Sequence, residues 1–158
     1  MKQITFAPRH HQLTNTRTWT ADSQWLVFDV RPSGASFTGE TIERVNVKSG
    51  QVEVIYRASL GAHVGVVTVH PSADRYVFIH GPENPDKDWQ YDFHHRRGVV
   101  SYQGKTHNLD AMDITPPFTP GALRGGSHVH VYSPNGEYVN GYAERQCGYS
   151  HPGRTDRF

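Results

Sequence analysis

Three stretches of the sequence share one build, and this repetition limits the chain's fold more than any other feature. They are Trp19–Phe28, Val69–Phe78 and Tyr132–Val139. Each opens on a large apolar residue followed by a small or polar one. A turn of about four residues drawn from Pro, Asp, Asn, Ser, Ala and Gly comes next, and an apolar run closes the unit. Such a unit is a strand, a tight bend and a second strand, with bend residues that tolerate the dihedrals a hairpin needs. Pro134-Asn135-Gly136 is the strongest of the three bends. The copies begin at 19, 69 and 132, so they are offset by 50 and then 63 residues.

Between the first two copies lies a second hairpin, Thr41–Val47 and Gln51–Tyr56, alternating polar and apolar residues around Lys48-Ser49-Gly50. Further on, Tyr76–His80 and Arg97–Tyr102 read as strands, with a short fourth near Thr106–Leu109 after the turn at Gln103-Gly104. A four-stranded propeller blade takes about 40–50 residues, so one repeat copy per blade fits the spacing. The expected fold class is all-β: a partial β-propeller of two to three four-stranded antiparallel blades, the last incomplete. Blade one is placed at 14–57, blade two at 63–110 and the start of blade three at 127–139. Residues 115–127, with their prolines and glycines, read as a surface connection. No useful alternation follows Val139, so 140–158 is expected to be an aberrant or disordered tail. Trp19, Trp25 and Phe28 occupy repeat positions and are expected to pack sheet against sheet.

Composition narrows the function classes. Sixteen basic and fifteen acidic residues give a net charge of +1, with Arg96-Arg97 the longest basic pair, so no concentrated basic face points to nucleic acid or to an anionic membrane surface. The N-terminal residues have no apolar stretch of a secretory signal, and no apolar run nears the ~18 residues of a membrane span. The single cysteine, Cys147, has no internal disulfide partner. A cytoplasmic location is the resulting expectation.

The Ser133-Pro134-Asn135-Gly136 bend before an apolar strand resembles the repeat of TolB-like and WD40-like propellers. Longer strings resemble the start of the uncharacterised YidR-like bacterial proteins. They are Phe28-Asp29-Val30-Arg31-Pro32-Ser33-Gly34, His80-Gly81-Pro82-Glu83-Asn84-Pro85, Phe93-His94-His95-Arg96-Arg97-Gly98 and Gly125-Gly126-Ser127-His128-Val129-His130, with Asn15-Thr16 near the start. The resemblance covers residues 1 to about 139. It implies a TolB-like propeller two to three times this length with no established activity. Residues 141–158 do not look like the family's continuation, and their composition suggests divergent or out-of-frame sequence.

Eleven histidines raise the question of a metal or ligand site. His128 and His130 are two apart, which on a regular strand puts both on one face. They fall on the expected innermost strand of blade three, beside the channel where propeller ligands bind. A divalent transition metal is the candidate cofactor there, with His63 of blade two approaching the same channel. The plainer alternative is a pair of hydrogen-bonding wall residues. Propellers of oligogalacturonate lyase place histidines at similar inner positions, a likeness of fold that does not fix function. His94, His95, Arg96 and Arg97 form a second cluster whose arginines could fork onto a carboxylate or phosphate; a solvated loop is the plainer reading. Asp110 and Asp113 are candidate acid–base groups, though such residues more often cap turns. Gly125-Gly126-Ser127 lacks the lysine of a phosphate loop, and neither Ser36, Ser127 nor Cys147 sits in a nucleophile motif.

No complete catalytic motif emerges and no catalytic residue is assigned. The preferred expectation is a binding module that holds a protein, peptide or saccharide at the channel mouth through His63, His94, Arg96 and Arg97. The alternative is a metal-assisted lyase or hydrolase acting on an acidic saccharide, with His63, His128 and His130 near the metal and an arginine neutralising the substrate. A truncated gene product without function is the third reading.

Overall fold

A computed structural model describes residues 2–13, 16–92, 94–109, 125–143 and 156–157, the last pair and 141–143 by backbone only. The described residues contain strands and turns and no helix. The first sheet has the order β1-β2-β3, with β1 (Trp25–Asp29), β2 (Thr41–Asn46) and β3 (Val52–Arg57). The second runs β4-β5-β6-β7, with β4 (Val64–Val69), β5 (Arg75–His80), β6 (Arg97–Tyr102) and β7 (Lys105–Asn108). The third runs β8-β9-β10, with β8 (Ser127–Tyr132), β9 (Tyr138–Ala143) and the short β10 (Asp156–Arg157). Every pairing is antiparallel.

Each sheet is thus built from strands adjacent in sequence, as short turns dictate. β4 packs against β1 on one side and β8 on the other, and β5 and β6 also touch β8. The main core forms where the first two sheets meet: Val27 and Ile42 from the first join Val64, Val67, Val69, Phe78 and Val99 from the second. A smaller cluster of Val77, Leu109, Tyr132 and Val139 joins the second sheet to the third. Burying both faces of the middle sheet explains the near-continuous apolar run of β5, where every residue after Arg75 is buried.

Three expectations need correction. The first sheet is three-stranded; the described residues before it meet β1 at two isolated bridges, Gln12 to Asp29 and Trp19 to Leu26. Seven steps along that segment face three steps of β1, so a continuous ladder is impossible. Trp19 accordingly is not a core residue but is 51% exposed, while Phe28 is buried and Trp25 lies under the Arg44 guanidinium at 4.5 Å. Finally, β9 continues past Val139 to Ala143, and β10 pairs with its start through Asp156 and Arg157. Asn140 and Gly141 interrupt the hydrophobic alternation, but backbone pairing with β8 carries the strand through them. The other residues of the expected tail, like Asp110, Asp113 and Cys147, lie outside the described residues.

The first strands of the second and third sheets share an irregularity. The β4–β5 register shifts between Gly65 and Thr68, and the β8–β9 register shifts between His128 and Val131. In each bulge a valine takes a left-handed backbone, Val66 at φ +61° and Val129 at φ +57°. The 63-residue offset of the sequence repeat separates these two valines as well. A β-branched side chain in this region costs about 1–3 kcal/mol, so surrounding contacts must enforce it.

His70 ties the second hairpin bend to the third. Its Nδ1 accepts the backbone N–H groups of Ser72 and Ala73 at 3.1 and 3.0 Å, and its Nε2 donates to the Gly136 carbonyl at 3.2 Å. A Cβ on Gly136 would sit 2.3 Å from His70 Nε2, and Gly136 has φ +77°. Gly136→Ala is therefore expected to lose about 2 kcal/mol or more in urea denaturation, from backbone strain plus displacement of the His70 ring. Gly104→Ala isolates the backbone component: φ is +74° there but nothing lies within 4 Å. It should cost only about 1 kcal/mol.

Candidate ligand cavity

The bulges of β4 and β8 open onto a cavity of about 590 Å³, within the size range of small-ligand sites. Its basic side chains are Arg31, His63, Arg96 and His128, and no aspartate or glutamate lines it among the described residues. Phe37 from the first sheet's β1–β2 loop stacks on Tyr91 from the second sheet's β5–β6 loop, with ring centroids 4.1 Å apart and planes 9° from parallel. Both rings line the cavity, together with the polar side chains of Ser36, Thr38 and Gln90. The two loops are thereby clasped across the sheet boundary beside the arginines.

Of the six candidate site residues read from the sequence, three meet here: His63, Arg96 and His128. His94 lies in the turn before β6, with Nε2 3.9 Å from Asp92 Oδ1. Arg97 donates from Nη2 to Glu83 Oε1 at 3.0 Å, across from the Tyr56–His80 pair. His95 packs on Trp89 with centroids 4.0 Å apart.

His130 takes a different role from His128. The expected shared face depends on regular alternation, and the bulge at Val129 breaks it. His130 is 2% exposed and wedged beneath β6, where a Cβ on Gly98 would lie 2.4 Å from its Nε2. Ser127 Oγ accepts the Gly98 N–H at 3.0 Å and can donate its own proton to His130 Nε2 at 3.2 Å. Burial, then the nearby charges of His128 and Arg96, push the His130 imidazole down to about 4. Among the described residues no three His, Cys, Asp or Glu side chains are grouped so as to hold a metal ion.

Arg31 was not among the sequence candidates. It follows β1 and is 3% exposed, paired through Nε with Asp29 Oδ2, itself fully buried. Asp29 Oδ1 accepts the Val66 N–H at 3.1 Å, so this carboxylate helps to enforce the left-handed valine of the first bulge. Burial raises the Asp29 carboxyl above its ordinary range, with the Arg31 charge opposing the shift. The available signal was an Asp-x-Arg pair at the end of an apolar strand, which without coordinates reads as a loop ion pair.

The signature of a family of proteins of unknown function, DUF3748, matches residues 63–146, from the cavity's His63 through β9. The chain belongs to the DUF3748 family. A relative from Escherichia coli (strain K12), carrying the description uncharacterized protein YidR, is 80% identical over 140 residues. That alignment covers 89% of this chain and 34% of the relative, so the chain spans about a third of its length. No solved structure matches. The family match takes in His63, Arg96 and His128 together with Tyr91, whereas Arg31 and Phe37 precede it. No helix among the described residues is long and apolar enough to cross a membrane.

Proposed function

We propose that the three sheets are successive blades of a TolB-like β-propeller, and that the cavity at their inner strands binds a small anionic ligand rich in hydroxyl groups, a carboxylated saccharide being the best chemical fit. Support for the blade reading comes from chain-ordered antiparallel sheets, whose first strands β1, β4 and β8 lie side by side. The ligand reading rests on one observation: a cavity lined, among the described residues, by two arginines and two histidines and by no carboxylate. Guanidinium and imidazole N–H groups suit carboxylate oxygens, while Ser36, Thr38 and Gln90 suit sugar hydroxyls and the aromatic wall suits C–H faces.

Calorimetric titration of the chain with digalacturonate and with its uncharged galactobiose counterpart tests this. The acidic sugar is expected to bind at least about tenfold more tightly, with an advantage that shrinks as salt rises. Equal binding of the two, or no binding of either, overturns the reading.

A metal-assisted lyase or hydrolase on the same class of substrate is the second reading, favoured by His63 and His128 lining one cavity. Metal analysis of protein purified without chelator separates the two. Stoichiometric zinc or manganese lost on His128→Ala supports the enzyme; retention unaffected by His63→Ala and His128→Ala removes it.

A further inference from the structure

The same bulge occurs twice, and the two copies differ in what meets them. Val66 in β4 and Val129 in β8 are 63 residues apart, the offset of the sequence repeat, and both have a left-handed backbone, at φ +61° and +57°. Each follows the residue at which its ladder with the next strand slips, Gly65 in one case and His128 in the other. One backbone shape at one register position points the two amide N–H groups the same way relative to their sheets. At the first bulge that direction ends on a carboxylate: Asp29 Oδ1, from the preceding sheet, accepts the Val66 N–H at 3.1 Å.

One sheet further on, Ile79 holds the position of Asp29. Each follows the phenylalanine that closes a repeat copy, Phe28 and Phe78, 50 residues apart. An isoleucine side chain has no atom that can accept a hydrogen bond. Ile79 and Val129 both line the cavity, and Val129 is 48% exposed. Where the first junction between sheets holds a carboxylate, the second therefore holds an apolar side chain beside open volume. Positive charge is at hand in both places. Arg31 pairs with Asp29, and Arg96 of the cavity lining is close enough to His130, the residue after Val129, to help lower its imidazole.

We propose that the ligand's carboxylate docks on the β8 bulge and accepts the Val129 N–H, doing at this junction what Asp29 does at the neighbouring one. This rests on the ligand reading of the cavity and assigns it a subsite. The strained valine is part of that subsite, since its left-handed backbone is what turns the amide out of the ladder. Because the bulge belongs to the third sheet and Ile79 to the second, the bound carboxylate also joins the two.

The test follows the backbone amide signals of the chain by NMR as galacturonate or its methyl ester is added. Galacturonate is expected to move the Val129 amide proton downfield, and by more than that of Val66, whose acceptor the chain already supplies. The ester, with no carboxylate, should leave Val129 in place. Ile79→Asp gives the chain its own carboxylate at this position and should lower galacturonate affinity at least about tenfold by calorimetry. Ile79→Asn, which alters the same wall without the charge, should lose less; a purely structural role for Ile79 would cost both variants alike. Should Ile79→Asp fail to fold, the amide titration of the unaltered chain decides alone. A Val129 signal that stays fixed as galacturonate saturates, or a folded Ile79→Asp chain that loses no more affinity than Ile79→Asn, overturns the proposal while leaving the cavity reading intact. If galacturonate binds no better than its ester, the cavity reading falls and the subsite with it.

Discussion

Replacing Phe78 by alanine is expected to destabilise the chain by about 3–5 kcal/mol, measured as a shift in the urea midpoint at constant slope. Phe78 is fully buried on β5, its ring centroid 5.0 Å from that of Tyr56 on β3 of the preceding sheet. Alanine would leave a cavity in the main core, where Val27 and Ile42 of the first sheet meet Val64 and Val99 of the second. Small domains have only about 5–15 kcal/mol of total stability, so this one truncation consumes a large part of it. Val54→Ala provides the contrast. Val54 is 47% exposed on the outer strand β3, and its loss should stay within about 0.5 kcal/mol.

The second large effect is acid sensitivity. His130, His70 and His80 are all buried, and burial lowers each imidazole from its usual range. His80 is fixed in its neutral form by donating from Nδ1 to the Gly81 carbonyl at 2.7 Å and accepting the Tyr56 hydroxyl on Nε2 at 3.0 Å. His70 accepts two backbone N–H groups on Nδ1, which leaves that nitrogen no room for a proton. Each therefore takes up a proton more readily in the unfolded chain. Their contribution is complete above the unfolded value near 6.5 and declines as pH falls towards the folded value. For His130, whose folded value is about 4, the loss between pH 6.5 and pH 4 is about 3 kcal/mol. Asp29, with its carboxyl raised by burial, works in the opposite sense at the acid end and softens the total. Urea titrations at a series of pH values should show stability falling through this window. In His130→Gln the fall should shrink by about 3 kcal/mol, whatever the variant's stability at neutral pH; an unchanged fall contradicts the assignment.

Sequence pattern and structure agree most where local chemistry decides. The Thr41–Tyr56 stretch forms the expected antiparallel hairpin of β2 and β3, and β6 has the bounds expected for it, Arg97–Tyr102, because glycine and polar turns flank an apolar run. Agreement fails at the bulge of β8. Val129 looks like an ordinary strand residue, yet its left-handed backbone sends His128 to the cavity and leaves His130 under Gly98. Trp19 has the aromatic character of a repeat position, yet it meets β1 at an isolated bridge with Leu26 and stays 51% exposed. Three of the four basic residues of the cavity wall, His63, Arg96 and His128, were legible as unusual His and Arg residues near expected inner strands. Arg31 was not, because its importance comes from contacts with Val66 and Phe37 and from the space left by Gly65, all set by tertiary packing.

Stacked sheets with β4 in the middle are what bring Arg31, His63, Arg96 and His128 to one cavity, and proton NOE spectroscopy of the folded chain tests that arrangement most directly. Among the ring pairs that cross the sheet boundaries are Tyr56 with Phe78, 5.0 Å between centroids, and His70 with Tyr132, 4.7 Å. NOEs within both pairs are the predicted result. Their absence, in spectra that still show the cross-strand NOEs of β2–β3 and β5–β6, would mean that the sheets form but do not stack, and the cavity with its ligand would have no basis.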